Sequence, residues 1–512
     1  MGYSLLLVAI SLGTICILAY KISCPKRQLS LPPGPRKLPL IGNLHQLDIK
    51  RPWETFHKWH QQYGPLVAVK FGARTIISIS SDRVARDMLN KRCATYSSRP
   101  RLSISSKDNA GELNAVLMPH SKRWVLHHRI ALALLNPGLS KQYRELQDLE
   151  SKQAIHELLQ GNDVAHSFDR YMASVSFTLA YGLQLQRHDQ HEVIQIRNFI
   201  NGLREAMSNM FVALAELFPI LDHLPRAFAV WKRQGEELNR QATAFFLDNS
   251  TKAQSAPGWN WVRECERLKE TQNMSLRERA HVLGTIQEAG METTPSVFRV
   301  VIKACLLYPR CLSRAQEEID QVLGTSRLPS FDDMSRLPYI NALIHEAVRW
   351  QPLTPLGLPH CPLRDDEFMG YHIPAGSTIF PNNHSMANDP DVFPEPLEFK
   401  PERWLENLDP PFSPFGYGRR ICPGRHHALD SLFIVISRVI WAYNITHAYR
   451  DGKRVDVDAW DSHNSFTSSP APFPTVLRVR SQAHQQVIEE ACSSAKEKLT
   501  TFLETFNPTS GG

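Results

Sequence analysis

The sequence has no C-x-x-C pair, and its nine cysteines are scattered without a framework of spacings. That excludes a disulfide-stapled secreted scaffold and the common structural zinc sites, and it fits a reducing compartment. No low-complexity linker, long run of like charge or internal repeat divides the body, so repeat arrays are excluded and one large domain is allowed. Lysine and arginine do not cluster on a nucleic-acid motif, so no nucleic-acid partner is expected. The formal charge of +7 and pI near 8.9 suit an anionic membrane surface or an acidic protein partner instead. With 42% hydrophobic and 21% charged residues the chain is not of the disordered class.

What is present begins with an apolar run. Residues 3–20 carry no charge and are rich in Leu, Ile and Val, and Lys21, Lys26 and Arg27 follow. The length is close to a bilayer span, and the positive-inside rule puts the body on the cytoplasmic side. A cleaved signal peptide would need a basic segment before the apolar run, and none is there. The expectation is a transmembrane signal anchor over 3–22. A hinge over 25–48 contains Leu31-Pro32-Pro33-Gly34-Pro35, stiff enough to hold the body at a set angle to the lipid bilayer.

The body, 49–483, has an alternating, β-branched stretch at 65–80 with Gly72-Ala73-Arg74 as its turn, which predicts a hairpin. Helical periodicity dominates afterwards, at 82–92, 124–135, 141–159, 168–181, 190–217, 231–249, 276–307, 313–323 and 340–350. Short strands are expected between 367 and 379 and at 474–479. The fold class is therefore mainly α with a small β-sheet. The tail, 484–512, reads as a charged helix to which no chemistry is assigned.

The densest chemistry is the run Phe415-Gly416-Tyr417-Gly418-Arg419-Arg420-Ile421-Cys422-Pro423-Gly424. Its three glycines allow a tight backbone with positive dihedrals whose N–H groups can point at the sulfur. Arg419 and Arg420 favour thiolate over thiol, Phe415 limits solvent access, and a helical pattern starts just beyond Gly424. A zinc reading through His426 and His427 lacks its second cysteine. The run resembles the cysteine loop of the cytochromes P450, F-x-x-G-x-R-x-C-x-G, through Phe415, Gly418, Arg420, Cys422 and Gly424. The resemblance implies the P450 fold and haem b (iron protoporphyrin IX) with Cys422 as the axial ligand of its iron.

Other segments extend the resemblance. Gly290, Thr293, Thr294 and Pro295 are poor choices for the middle of a helix, and they suggest a local distortion that frees a carbonyl. Ala289-Gly290-Met291-Glu292-Thr293 is similar to the family's A-G-x-[DE]-T motif, which implies proton delivery by Glu292 and Thr293. Glu288 and Thr294 are near duplicates, so that choice depends on helix phase. Glu346 and Arg349, at i and i+3, match E-x-x-R, and the resemblance implies a structural triad closed by Arg403. For the haem propionates it implies Arg420, Trp124 and His360. His128 stands where the family has arginine, so either His128 replaces it or Arg129 reaches round. Substrate contacts are expected around 101–117, 199–218, 354–358 and 465–467, mostly apolar stretches that point to a hydrophobic small molecule.

The resemblance implies a haem-dependent monooxygenase of the endoplasmic reticulum membrane, single-pass and facing the cytosol, similar to filamentous-fungal enzymes that tailor secondary metabolites. No flavin or iron–sulfur domain is expected in the chain. Electrons would come from NADPH through a separate cytochrome P450 reductase docking near Arg419 and Arg425, with cytochrome b5 as an allowed second donor. The alternative is a haem-thiolate isomerase, dehydratase or oxidative cyclase without net oxygen insertion, against which the presence of Glu292 and Thr293 counts.

Overall fold

The computed structural model describes residues 29–101, 113–161, 163–208, 212, 215, 217–218, 221, 223–407, 410–464 and 467–507. The alternation after Gly64 produces β1 (Leu66–Phe71) and β2 (Arg74–Ile79), antiparallel with Phe71 opposite Arg74. Gly72 supplies the left-handed φ of +56° that the turn requires. The proline-rich segment lies along β1. The Ala68 N–H donates to Pro33 O at 3.0 Å, and at Gly34 a Cβ would fall 2.1 Å from Ala68 O.

Ahead of this hairpin, α1 (Pro52–Tyr63) covers the sheet with Trp53, Phe56 and Trp59. The expected helix at 82–92 begins at Asp82 but turns π-helical over Arg86–Asn90. Then follow α2 (Lys122–Leu134), α3 (Arg144–Leu159), α4 (Val164–Tyr181), α5 (His191–Ser208) and α6 (Val230–Ser255). Next come α7 (Leu276–Leu307), α8 (Pro309–Leu323) and α9 (Pro338–Trp350). A short hairpin of β3 (Asp366–Phe368) and β4 (Tyr371–Ile373) leads to β5 (Thr378–Pro381), which joins β2 in parallel with Ile77 opposite Ile379.

Helix α7 is the axis of the body, packed by α4, α6, α9 and α10 (Arg425–Ala442). The Ser275 side chain accepts the Glu278 N–H at its start, and Pro309 opens α8 just past its end. The expected distortion does not break it, and helical backbone continues through Pro295. Two hydroxyls bond back to the preceding turn, a pattern that favours bending: Thr293 Oγ1 donates to Ala289 O at 2.8 Å and Ser296 Oγ to Glu292 O at 2.9 Å.

The chain ends in β6 (Tyr443–His447), the hairpin β7 (Ser462–Asn464) and β8 (Ser468–Pro470), β9 (Thr475–Val479) and α11 (Gln482–Thr505). Helix α11 is more than a charged tail. It buries His484, Ile488, Cys492, Ala495, Leu499 and Phe502 on one face, chiefly against α3. Beyond it Phe506 packs against Trp259 and Tyr143. Among the described residues no helix is long and apolar enough to cross a membrane. The expected anchor at 3–22 lies outside the described residues.

Candidate active site

Cys422 lies three residues before the start of α10, in a loop closed by its own N–H donating to Phe415 O at 2.8 Å. Gly416 and Gly418 have positive φ, of +85° and +57°. At Gly418 the backbone also passes so near that a Cβ would fall 2.3 Å from Leu89 O. Gly424 departs from expectation. Its φ is −84°, outside the left-handed region. Burial pushes the Cys422 thiol up, opposed by the Gly424 N–H and the Arg425 charge. The two arginines read as thiolate partners do not serve there: Arg419 is exposed, and Arg420 turns away. Phe415 and Cys422 are both half-buried, and Cys422 forms no disulfide.

The Arg420 side chain crosses to the segment before α2. It donates to Ser97 O at 2.7 Å, Ala115 O at 3.2 Å and Met118 O at 2.8 Å, and lies over the Trp124 ring at 3.8 Å. Trp124 Nε1 donates to Ala115 O at 3.2 Å, and His128 stacks on the Trp124 ring at 4.8 Å. His128 belongs to this stack, whereas Arg129 is exposed. Burial and then the Arg420 charge lower the His128 pKa, so this imidazole is neutral at pH 7. His360 is buried, its Nδ1 is 2.9 Å from Tyr96 O, and its backbone pairs with Ile379 of β5.

Sequence reasoning missed Arg99. It is buried and donates to Val116 O at 3.0 Å and Pro359 O at 2.6 Å. Neither Arg99 nor Arg420 has a carboxylate partner among the described residues. Burial alone lowers Arg99 to about 10, and burial together with the Arg99 charge lowers Arg420 to about 8. Two interior cations without an anion are costly, and the arrangement calls for a ligand with acidic arms. Haem propionates meet that demand, and Cys422 offers the thiolate its iron takes. By charge and donor set, the residues fit the group.

On α7, Ala289 is exposed and residues 290–293 are half-buried although four helices surround the element, so an internal space borders this turn. Thr294 is buried away from it. Glu292 is held from two other elements, by Arg204 of α5 and by Thr467, whose Oγ1 donates at 2.9 Å. Sequence gave no hint of either partner. Of the other expected substrate contacts, 102–112 and 465–466 lie outside the described residues, as does part of 199–218.

Glu346, Arg349 and Arg403 do come together. Arg349 grips Glu346 with Nε and Nη2 at 2.8 and 2.7 Å, and Arg403 Nε adds a third contact at 3.2 Å. Glu346 and Arg349 have no exposed side-chain surface, unlike an ordinary i,i+3 surface pair. No group of three or more metal-ligating side chains occurs among the described residues.

The cytochrome P450 family model matches residues 32–456. The chain is 40% identical over 507 residues to the cytochrome P450 monooxygenase peniB of Penicillium patulum, covering 98% of this chain and 94% of that one. It is 41% identical over 482 residues to the cytochrome P450 monooxygenase FrzL of a Cladobotryum species, covering 94% and 93%. With aneD of Aspergillus aculeatus, also named a cytochrome P450 monooxygenase, it shares 39% over 485 residues, covering 93% of each. Loop, helix and triad thus lie inside a match that spans nearly the whole chain, and the protein belongs to the cytochrome P450 family as a monooxygenase.

Proposed function

We propose that this monooxygenase acts on a hydrophobic small molecule in a tailoring step of fungal secondary metabolism, anchored by residues 3–22 in the endoplasmic reticulum membrane with its body in the cytosol. The observation that carries the haem assignment is the pair Arg99 and Arg420, without an acid among the described residues, beside the loop of the free Cys422. Haem, when bound, supplies activation of dioxygen and transfer of one oxygen atom. Cys422 would hold its iron, with the Gly424 N–H and the start of α10 stabilising the thiolate. Arg99 and Arg420 would hold the propionates, with Trp124 as a stacking support and His128 as a neutral neighbour, while His360, its ring N–H taken by Tyr96 O, would line the site without donating. Phe415 would restrict water at the sulfur.

Thr293 and Glu292 would deliver protons, Thr293 from the turn bordering the internal space and Glu292 from its contacts with Arg204 and Thr467. The triad of Glu346, Arg349 and Arg403 would hold the core ahead of the cysteine loop. Electrons would come from NADPH through a separate reductase, with cytochrome b5 as an allowed second donor, docking at the exposed Arg419. The acid and alcohol on α7 favour oxygen insertion over isomerisation or dehydration. The test is the visible spectrum of dithionite-reduced protein under carbon monoxide, for wild type and Cys422→Ala. A strongly red-shifted Soret band confined to wild type is expected; a band typical of histidine-ligated haem refutes the assignment. Thr293→Ala and Glu292→Gln are then expected to consume NADPH with less product and more peroxide, and unchanged coupling would remove their delivery role.

A further inference from the structure

Glu288 is the acid for which the expected mechanism has no use. It lies one helical turn before Glu292 on the same face of α7, enclosed by the body yet half-buried rather than sealed. Among the described residues it makes no hydrogen bond and no ion pair. Among the described residues, the titratable groups in electrostatic contact with it are Tyr181 and Glu292. From α4 comes Tyr181, whose buried hydroxyl also lacks a partner. Arg204 from α5 and Thr467 from the C-terminal hairpin are both spent on Glu292. Two carboxyls one turn apart, only one of them neutralised, cannot both ionise at low cost.

We propose that Glu288 and Glu292 share a single proton, resident on Glu288 while Arg204 and Thr467 engage the Glu292 carboxyl oxygen, so that α7 carries a proton reserve little more than one turn from Thr293. When the Arg204 contact opens, the O–H bond of Glu288 breaks and one forms on Glu292, with Arg204 still protonated; solvent later returns the proton to Glu288. The supporting direction is plain: burial, then the Glu292 charge, push Glu288 up to about 8. Glu288 is a positioning residue, acting through Glu292. Use of the reserve rests on the delivery role proposed for Glu292, but its existence does not.

The test is infrared difference spectroscopy of the haem-loaded full-length protein, titrated between about pH 6 and about pH 10 in H2O and D2O. Wild type is expected to show a deuterium-sensitive protonated-carboxyl band lost with a midpoint near 8. Glu288→Gln removes the band, and Glu292→Gln moves its midpoint down, because the charge that raised it is gone. A band that survives Glu288→Gln, or a midpoint indifferent to Glu292→Gln, overturns the proposal. Should Glu288→Gln fail to hold haem, Glu288→Asp replaces it: a displaced midpoint supports the sharing, and an unmoved one overturns it. The coupling assay of Glu292→Gln and Thr293→Ala decides the delivery role separately, so the two ideas can fail independently.

Discussion

Replacing Glu346 by glutamine tests whether the buried triad holds the body together. The carboxylate accepts from Arg349 Nη2, the Lys400 N–H and Arg403 Nε on one oxygen, and from Arg349 Nε and Trp404 Nε1 on the other. A glutamine can keep at most the first set. It turns an NH2 toward Arg349 Nε and Trp404 Nε1, and it leaves two guanidinium groups without their anion. Removing one member of a buried ion pair costs about 3–5 kcal/mol. With about 2.1 cal/mol/K of unfolding entropy per residue, 512 residues give about 1.1 kcal/mol/K for cooperative unfolding. The expected fall in Tm is therefore about 3–5 °C, read as loss of carbon-monoxide-competent protein in a thermal scan. Arg349→Gln is also expected to be severe, since Arg349 donates to Ala387 O and Pro396 O, each at 2.8 Å. The double variant should cost less than the sum by about 1 kcal/mol or more, because the second change removes a charge stranded by the first. Additive costs, or a Tm within about 1 °C of wild type, would refute this account.

Three further outcomes follow from the same contacts. Arg99→Met is expected to lower haem retention several-fold through gel filtration while Arg129→Met leaves it unchanged; equal retention would remove Arg99 from the site. Acid should destabilise the protein before most carboxylates titrate. His60, His281 and His427 are lowered to about 4 and His384 to about 3, all chiefly by burial, so the unfolded chain binds more protons below about pH 6.5. Their stabilisation is complete above that pH and is lost as pH falls toward the folded values. Glu288, raised, opposes them by about one proton, so these five groups alone leave a net of up to about three between pH 7 and 5, each worth about 1.4 kcal/mol per pH unit when fully expressed. A urea midpoint independent of pH over that range would contradict it. Gly258→Ala should loosen α11, because its φ is +71° and a Cβ would stand 1.9 Å from Leu503 O; faster proteolysis within 482–505 is the expected readout, and wild-type resistance would count against the contact.

Much of the frame was legible because it rests on local chemistry. The bounds of α7 follow from Ser275 before it and Pro309 after it, and the first hairpin follows from alternation around Gly72. Cys422 and Glu346 stand in short motifs with fixed spacing. What escaped depends on distance along the chain. Arg99 sits in a serine-rich segment without periodicity, and only the fold shows that its side chain is buried near Arg420 without an acid. The partners of Glu292 come from positions 204 and 467, and no pattern near 292 announces them. Gly424 has the residue type that fits a left-handed turn, yet its φ of −84° lies outside that region. The tail was legible as a helix but not as a part of the core, since its apolar face declares itself only against α3.

That last packing has a consequence for biosynthesis. Helix α3 leaves the ribosome long before α11 exists, and at about 5–20 residues per second the interval is on the order of tens of seconds. Throughout that time, the α3 surface that will receive Ile488, Cys492 and Leu499 has no cover from this chain. A nascent chain of this protein therefore exposes the α3 surface that α11 will cover until residues 482–505 emerge.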